Sequence, residues 1–293
     1  MQTIRHVLRF AGLRLALAFV LASAALLVVA ILSGSVPGPL AQFVAETAGA
    51  LLTAGIVLLL ERGIEGRPVA EGGLAPRAAP QAIGQGVLIG AALMAAIFGA
   101  LALAGWYHVA RVAFEPLALL GSVVLFLLVA LFEEFLFRGI LFRQLEGVFG
   151  SWAALALSGA LFGAAHLANP DATVWSTLAI AIGAGALLGG AYLATRNVWM
   201  AVGIHWAWNF FEGPFFGAAV SGNATSSVLV SSTAGPADWT GGAFGPEAGL
   251  VALIATLLAS VLLLRLAVRR GHIYTPAWLR RGAAREQGTA GGV

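Results

Sequence analysis

Phe132–Gly139 reads FEEFLFRG and closes an apolar run, PLALLGSVVLFLLVALF, that carries no charge. A charge at membrane depth costs roughly 2.5–3.5 kcal/mol even on the most forgiving scale. Glu133, Glu134 and Arg138 therefore need a reason to be there. Two later stretches raise the same question. FGAAH places His166 four residues after Phe162, and HWAWN places Asn209 four residues after His205.

Helix geometry sorts these residues. Glu134 and Arg138 share a face, where an ion pair forms readily. Glu133 lies about 100° further round. One carboxylate can be held by Arg138 while the other points elsewhere. Glu133 precedes Gly147 by fourteen positions, and His166 follows Ser151 by fifteen. At 1.5 Å per residue each lies roughly 21–23 Å from the turn between them. If 115–146 and 152–168 form an antiparallel helical hairpin, Glu133 and His166 come level. A carboxylate level with a histidine in a partly dry cavity can take a proton from water and return it. His205 and Asn209, on another helix, offer two hydrogen-bond donors of the kind a developing oxyanion needs.

The elements that position these groups read as membrane helices. The chain has 293 residues, 60% hydrophobic and 10% charged, against about 25% charged in soluble domains. We expect an all-α, polytopic membrane bundle of about eight transmembrane helices. They fall at 12–33, 40–61, 82–106, 115–146, 152–168, 173–195, 198–213 and 248–268. The chain reads as a single integral membrane domain over 1–293, with core helices in 115–213 and a basic tail at 271–293. The Gly- and Ser-rich stretch 217–246 reads as an extramembrane loop. The first apolar run is long for a signal peptide and lacks a clean cleavage site.

There are no cysteines, which removes thiolate nucleophiles and Cys-based metal sites. Every basic side chain is Arg. The arginines cluster at the N-terminus, in the 61–80 loop and at the C-terminus, not in one patch, so nucleic acid is not an expected partner. With both termini cytoplasmic, eight crossings place the Arg-rich loops on the cytoplasmic side and only Arg111 opposite. The absence of Lys and the abundance of Ala, Gly and Arg point to a high-GC genome and a bacterial plasma membrane. Glu46, Glu115 and Glu212 read as helix-end residues with weak structural roles. Trp206 and Trp208 read as interfacial anchors.

Taken together, EEFLFR, FGAAH and HWAWN resemble the motifs of the CPBP intramembrane proteases, which include the type II CAAX prenyl endopeptidases. The motifs are EExxxR, FxxxH and HxxxN, in that order on separate helices, and the resemblance covers about 130–210. It implies a glutamate-dependent, metal-independent endopeptidase with no cofactor. Glu133 and His166 would activate water, and His205 and Asn209 would hold the oxyanion. Arg138 would orient the acidic pair with Glu134 as its ion partner, and Phe162 would shape the pocket. The substrate would be a membrane-associated peptide or lipoprotein reached from the bilayer.

Three other readings stay open on the residues alone. Two histidines and the glutamates could ligate zinc, although no HExxH is present. The polar cluster could hold helices together in a non-enzymatic scaffold or immunity-type protein. It could also serve as a proton relay in a transporter, although no internal repeat is visible.

Overall fold

The computed structural model describes residues 10–35 and 40–276. Arg5, Arg9, most of the SVPGP breaker and the tail beyond 276 lie outside the described residues. The molecule is an all-helical membrane bundle. Among the described residues seven helices are long and apolar enough to cross a membrane.

In chain order the α-helices are α1 (Ala11–Ser35), α2 (Leu40–Leu58), α3 (Ala79–Leu103), and α4 (Pro116–Glu134), which continues through a π-helical segment, Phe135–Phe142, into α5 (Arg143–Phe149). Then follow α6 (Ser151–Ala165), α7 (Val174–Thr195), the shorter α8 (Val198–Phe210), α9 (Ala237–Thr240) and α10 (Leu250–Arg269). The continuous rod Pro116–Phe149 is 34 residues long, well beyond the ~20 needed to cross the hydrocarbon core.

The expected seventh span, 198–213, is the one that falls short. It is a 13-residue α-helix followed by a π turn, Phe211–Phe215, that contains Pro214. The reason is its position. His205, Asn209 and nearly every apolar residue of α8 are buried. A helix wrapped by protein need not be uniformly apolar or long enough to satisfy lipid.

Small residues let the neighbours come close. A Cβ at Gly86 or Gly90 of α3 would collide with the α8 carbonyl oxygens of Met200 and Ile204. At Gly163 of α6 it would meet the Thr177 carbonyl of α7. Such small-xxx-small faces let helix backbones pack tightly in lipid. Here they fix α8 and α6, the helices that carry His205 and His166. The hairpin turn is tighter than the expected GVFGS, because α5 runs to Phe149 and the chain reverses at Gly150 with φ 81°, a conformation natural to glycine.

Two departures from the expected pattern concern the far end of the bundle. A strand β1 (Tyr107–Val112) pairs antiparallel with β2 (Leu229–Thr233) in a two-stranded ribbon. The stretch 217–246 is also more than an outside loop. Its first part, Val220–Thr225, folds back over the interior. Hydrogen bonds hold it there: Gly222 N–H to the Phe244 carbonyl at 2.6 Å, and Tyr107 Oη–H to the Phe216 carbonyl at 2.7 Å.

Candidate active site

The π-helical segment begins directly after Glu134 and contains Arg138, and all eight of its residues are buried. Segments with i→i+5 bonds are rare and recur at functional sites. Within it the Arg138 guanidinium donates from Nη1 to Glu134 Oε1 at 2.8 Å, with both side chains wholly buried. His205 Nδ1 lies 2.9 Å from the same oxygen. Since a carboxylate only accepts, Nδ1 carries the proton, and Nε2 is the ring nitrogen left for other work.

That nitrogen lies 3.8 Å from Glu133 Oε2. Glu133 is the odd member of the pair. Its side chain keeps 20% of its exposure while Glu134 keeps none, and its Oε2 has no hydrogen-bond partner. One carboxylate of the EE pair is thus held through Oε1 by both Arg138 and His205 away from the cavity, and the other lines the open space.

The open space is a cavity of about 220 Å³, with Glu133, His166, His205 and Asn209 in its wall. His166 Nδ1 donates to the Phe162 carbonyl at 2.8 Å, so its Nε2 is also the free nitrogen. Phe162 packs under the whole group. Its ring lies 4.6 Å below the Arg138 guanidinium carbon, 4.8 Å from the His166 ring and 5.9 Å from the His205 ring. All seven residues singled out in the sequence are therefore gathered in one place. The partnering differs from the expected one in a single respect. Of the two histidines it is His205 that comes within 4.0 Å of Glu133, and His166 shares the cavity wall without a hydrogen bond to its Oε2.

The cavity also recruits residues that the sequence reading placed elsewhere. Glu46 is not a helix-end residue. It lies within α2, lines the cavity and leaves Oε2 without a partner. Glu212 is wholly buried, accepting from Trp208 Nε1 at 3.0 Å and from the Glu247 backbone N–H at 3.2 Å. Trp208 is consequently an internal strut and not an interfacial anchor. Trp206 likewise donates to the Val123 carbonyl of α4 at 3.0 Å.

Glu247 lines the cavity and accepts from the Ser221 hydroxyl at 2.6 Å, which ties down the covering loop. Burial pushes the Glu247 carboxyl above the ordinary carboxylate range. Nothing in its Gly-rich surroundings marks Glu247 in the sequence. Glu46 did carry a signal, as an acid inside an apolar run. Among the described residues no three His, Asp or Glu side chains are arranged to hold a metal ion.

The geometry can be set beside known proteins. No curated protein and no solved structure matches the chain. The family described as type II CAAX prenyl endopeptidase Rce1-like matches residues 114–211. That stretch runs from the start of α4 to the end of α8 and contains all three motifs. Over that stretch, about a third of the chain, the protein is similar to the Rce1-like type II CAAX prenyl endopeptidases.

Proposed function

We propose that the chain is a metal-independent glutamic endopeptidase that hydrolyses a peptide bond of a membrane-associated peptide or lipoprotein within this cavity. The observation that carries the reading is the split fate of the two adjacent glutamates. Glu134 is held through Oε1 by Arg138 and His205 with no exposure, whereas Glu133 lines the cavity with 20% of its side chain exposed.

Glu133 takes a proton from a water molecule as that water attacks the scissile carbonyl. The proton passes to the departing amine as the C–N bond breaks, with His166 Nε2 across the cavity as the second proton carrier. Asn209 donates through its amide to the oxyanion. His205 joins it from Nε2 when the ring carries both protons. A carboxylate beside each ring nitrogen, Glu134 at 2.9 Å and Glu133 at 3.8 Å, supplies the counter-charge for that form. Arg138 and Phe162 hold the base and the ring in place. We place the protein in a bacterial plasma membrane with both termini cytoplasmic.

The buried Glu134–Arg138–His205 triangle also favours a second reading, a scaffold in which the cluster only joins α4 to α8. One experiment separates the two. The parent and Glu133→Gln are purified in detergent, melted, and tested on a panel of membrane peptides and lipopeptides with and without EDTA. Cleavage that survives EDTA and disappears in a variant that melts like the parent supports the peptidase. A variant that collapses on heating supports the scaffold.

A further inference from the structure

The two ends of the bundle differ in charge and in what they enclose. At one end lie Arg14, Arg62, Arg67, Arg77, Arg143, Arg196, Arg269 and Arg270, in the loops and terminal turns that meet there. Arg14 and Gln144 converge on Glu65, at 4.0 and 2.9 Å. Arg196 holds Glu146 through two bonds of 2.8 and 2.6 Å, and Arg270 reaches the Ala194 carbonyl at 2.9 Å. At the other end Arg111 is the single arginine among the described residues. That end carries the ribbon, Val220–Thr225 and the turn at Glu247, and it is where the cavity is covered.

Helix directions fix the cavity's side. α4 and α7 start at the arginine-poor end, whereas α6 and α8 end there. His166 directly follows the end of α6 and opens the 166–168 turn, and Asn209 lies one residue from the end of α8. Glu46 lies near the start of α2, which begins at that same end. The cavity therefore occupies the arginine-poor half, under the ribbon-side loops. Arginine in short loops marks the cytoplasmic face.

We infer that the cavity lies in the non-cytoplasmic half of the membrane and that its substrates are exported, membrane-anchored polypeptides cut at or just below the outer surface. Lipidated cytoplasmic C-termini lie on the wrong side of the bilayer. This substrate class rests on the peptidase reading above. The orientation rests only on charge and fold.

The chain lacks cysteine, so single-cysteine variants report orientation without further engineering. Ala70 and Ser232 are exposed, at the arginine-rich end and on β2 respectively. In intact cells a membrane-impermeant maleimide is expected to label Ser232→Cys, and to label Ala70→Cys only after permeabilisation. Labelling of Ala70→Cys in intact cells, or of Ser232→Cys only after lysis, overturns the inference. In the second arm, new protein termini are mapped in cells expressing the parent or Glu133→Gln. Glu133-dependent cuts confined to non-cytoplasmic segments support the substrate class, and cuts in cytoplasmic segments overturn it. No Glu133-dependent cuts, with the labelling as expected, overturn the peptidase reading and leave the orientation standing.

Discussion

At the arginine-rich end the buried and half-buried acids each sit against a cation. Glu146 is held by Arg196 and Ser151, Glu61 by Arg143, and Glu65 by Gln144 and two arginines. At the cavity end Glu133 and Glu46 each present a buried oxygen with no partner. The residue types are the same and the surroundings differ. A carboxylate set against a cation with no open space beside it is cement. One that faces a cavity of about 220 Å³ with an unpaired oxygen can meet water. Glu134, one residue from Glu133, belongs with the cement despite its address. The boundary between structure and chemistry runs through a single dipeptide.

Substitutions can break or sharpen this contrast. Replacing Glu133 by Gln removes the base and keeps the shape. Cleavage is expected to fall about 10²- to 10⁴-fold with melting unchanged, read by turnover and thermal unfolding in detergent. Asn209→Ala removes one oxyanion donor, and turnover is expected to fall about 10²- to 10³-fold, again at unchanged melting.

Arg138→Met acts on the cement. It strands Glu134 in a site with no exposure, and breaking a buried pair in this way costs about 3–5 kcal/mol. Denaturation should show that loss, and turnover should fall with it because Glu134 and His205 lose their anchor. At the far end Glu146→Gln weakens charged hydrogen bonds worth about 1.5–3 kcal/mol and should leave the turnover of folded protein alone. The smallest effect is expected for Arg67→Ala. Its side chain is 54% exposed and lies 3.5 Å from Glu65, so the loss should stay below about 1 kcal/mol.

Polar residues inside apolar runs are conspicuous because lipid penalises them, and so EExxxR, FxxxH and HxxxN could be read from the chain directly. Helix limits were legible for the same reason, mostly to within a few residues. The missing features share a physical cause. A π turn changes hydrogen-bond register without changing the pattern of residue types, so Phe135–Phe142 looks like any apolar helix. Straight α-helices at 1.5 Å per residue bring Glu133 and His166 to one level, but their rise alone does not tell which histidine stands nearer. α8 was expected to span the bilayer because only the fold reveals that protein surrounds it. Glu247 and the covering loop lie in a Gly-rich stretch with no periodicity, where tertiary contacts alone decide the path.

The central claim is that Glu133 performs chemistry and the ion-paired Glu146 of the far end does not. Its most direct test is one cleavage assay, run in EDTA on the same peptide and lipopeptide panel, with the parent, Glu133→Gln and Glu146→Gln at matched folded fraction. The account predicts cleavage by the parent and Glu146→Gln and none measurable by Glu133→Gln. Equal cleavage by all three would contradict it, as would activity that EDTA abolishes.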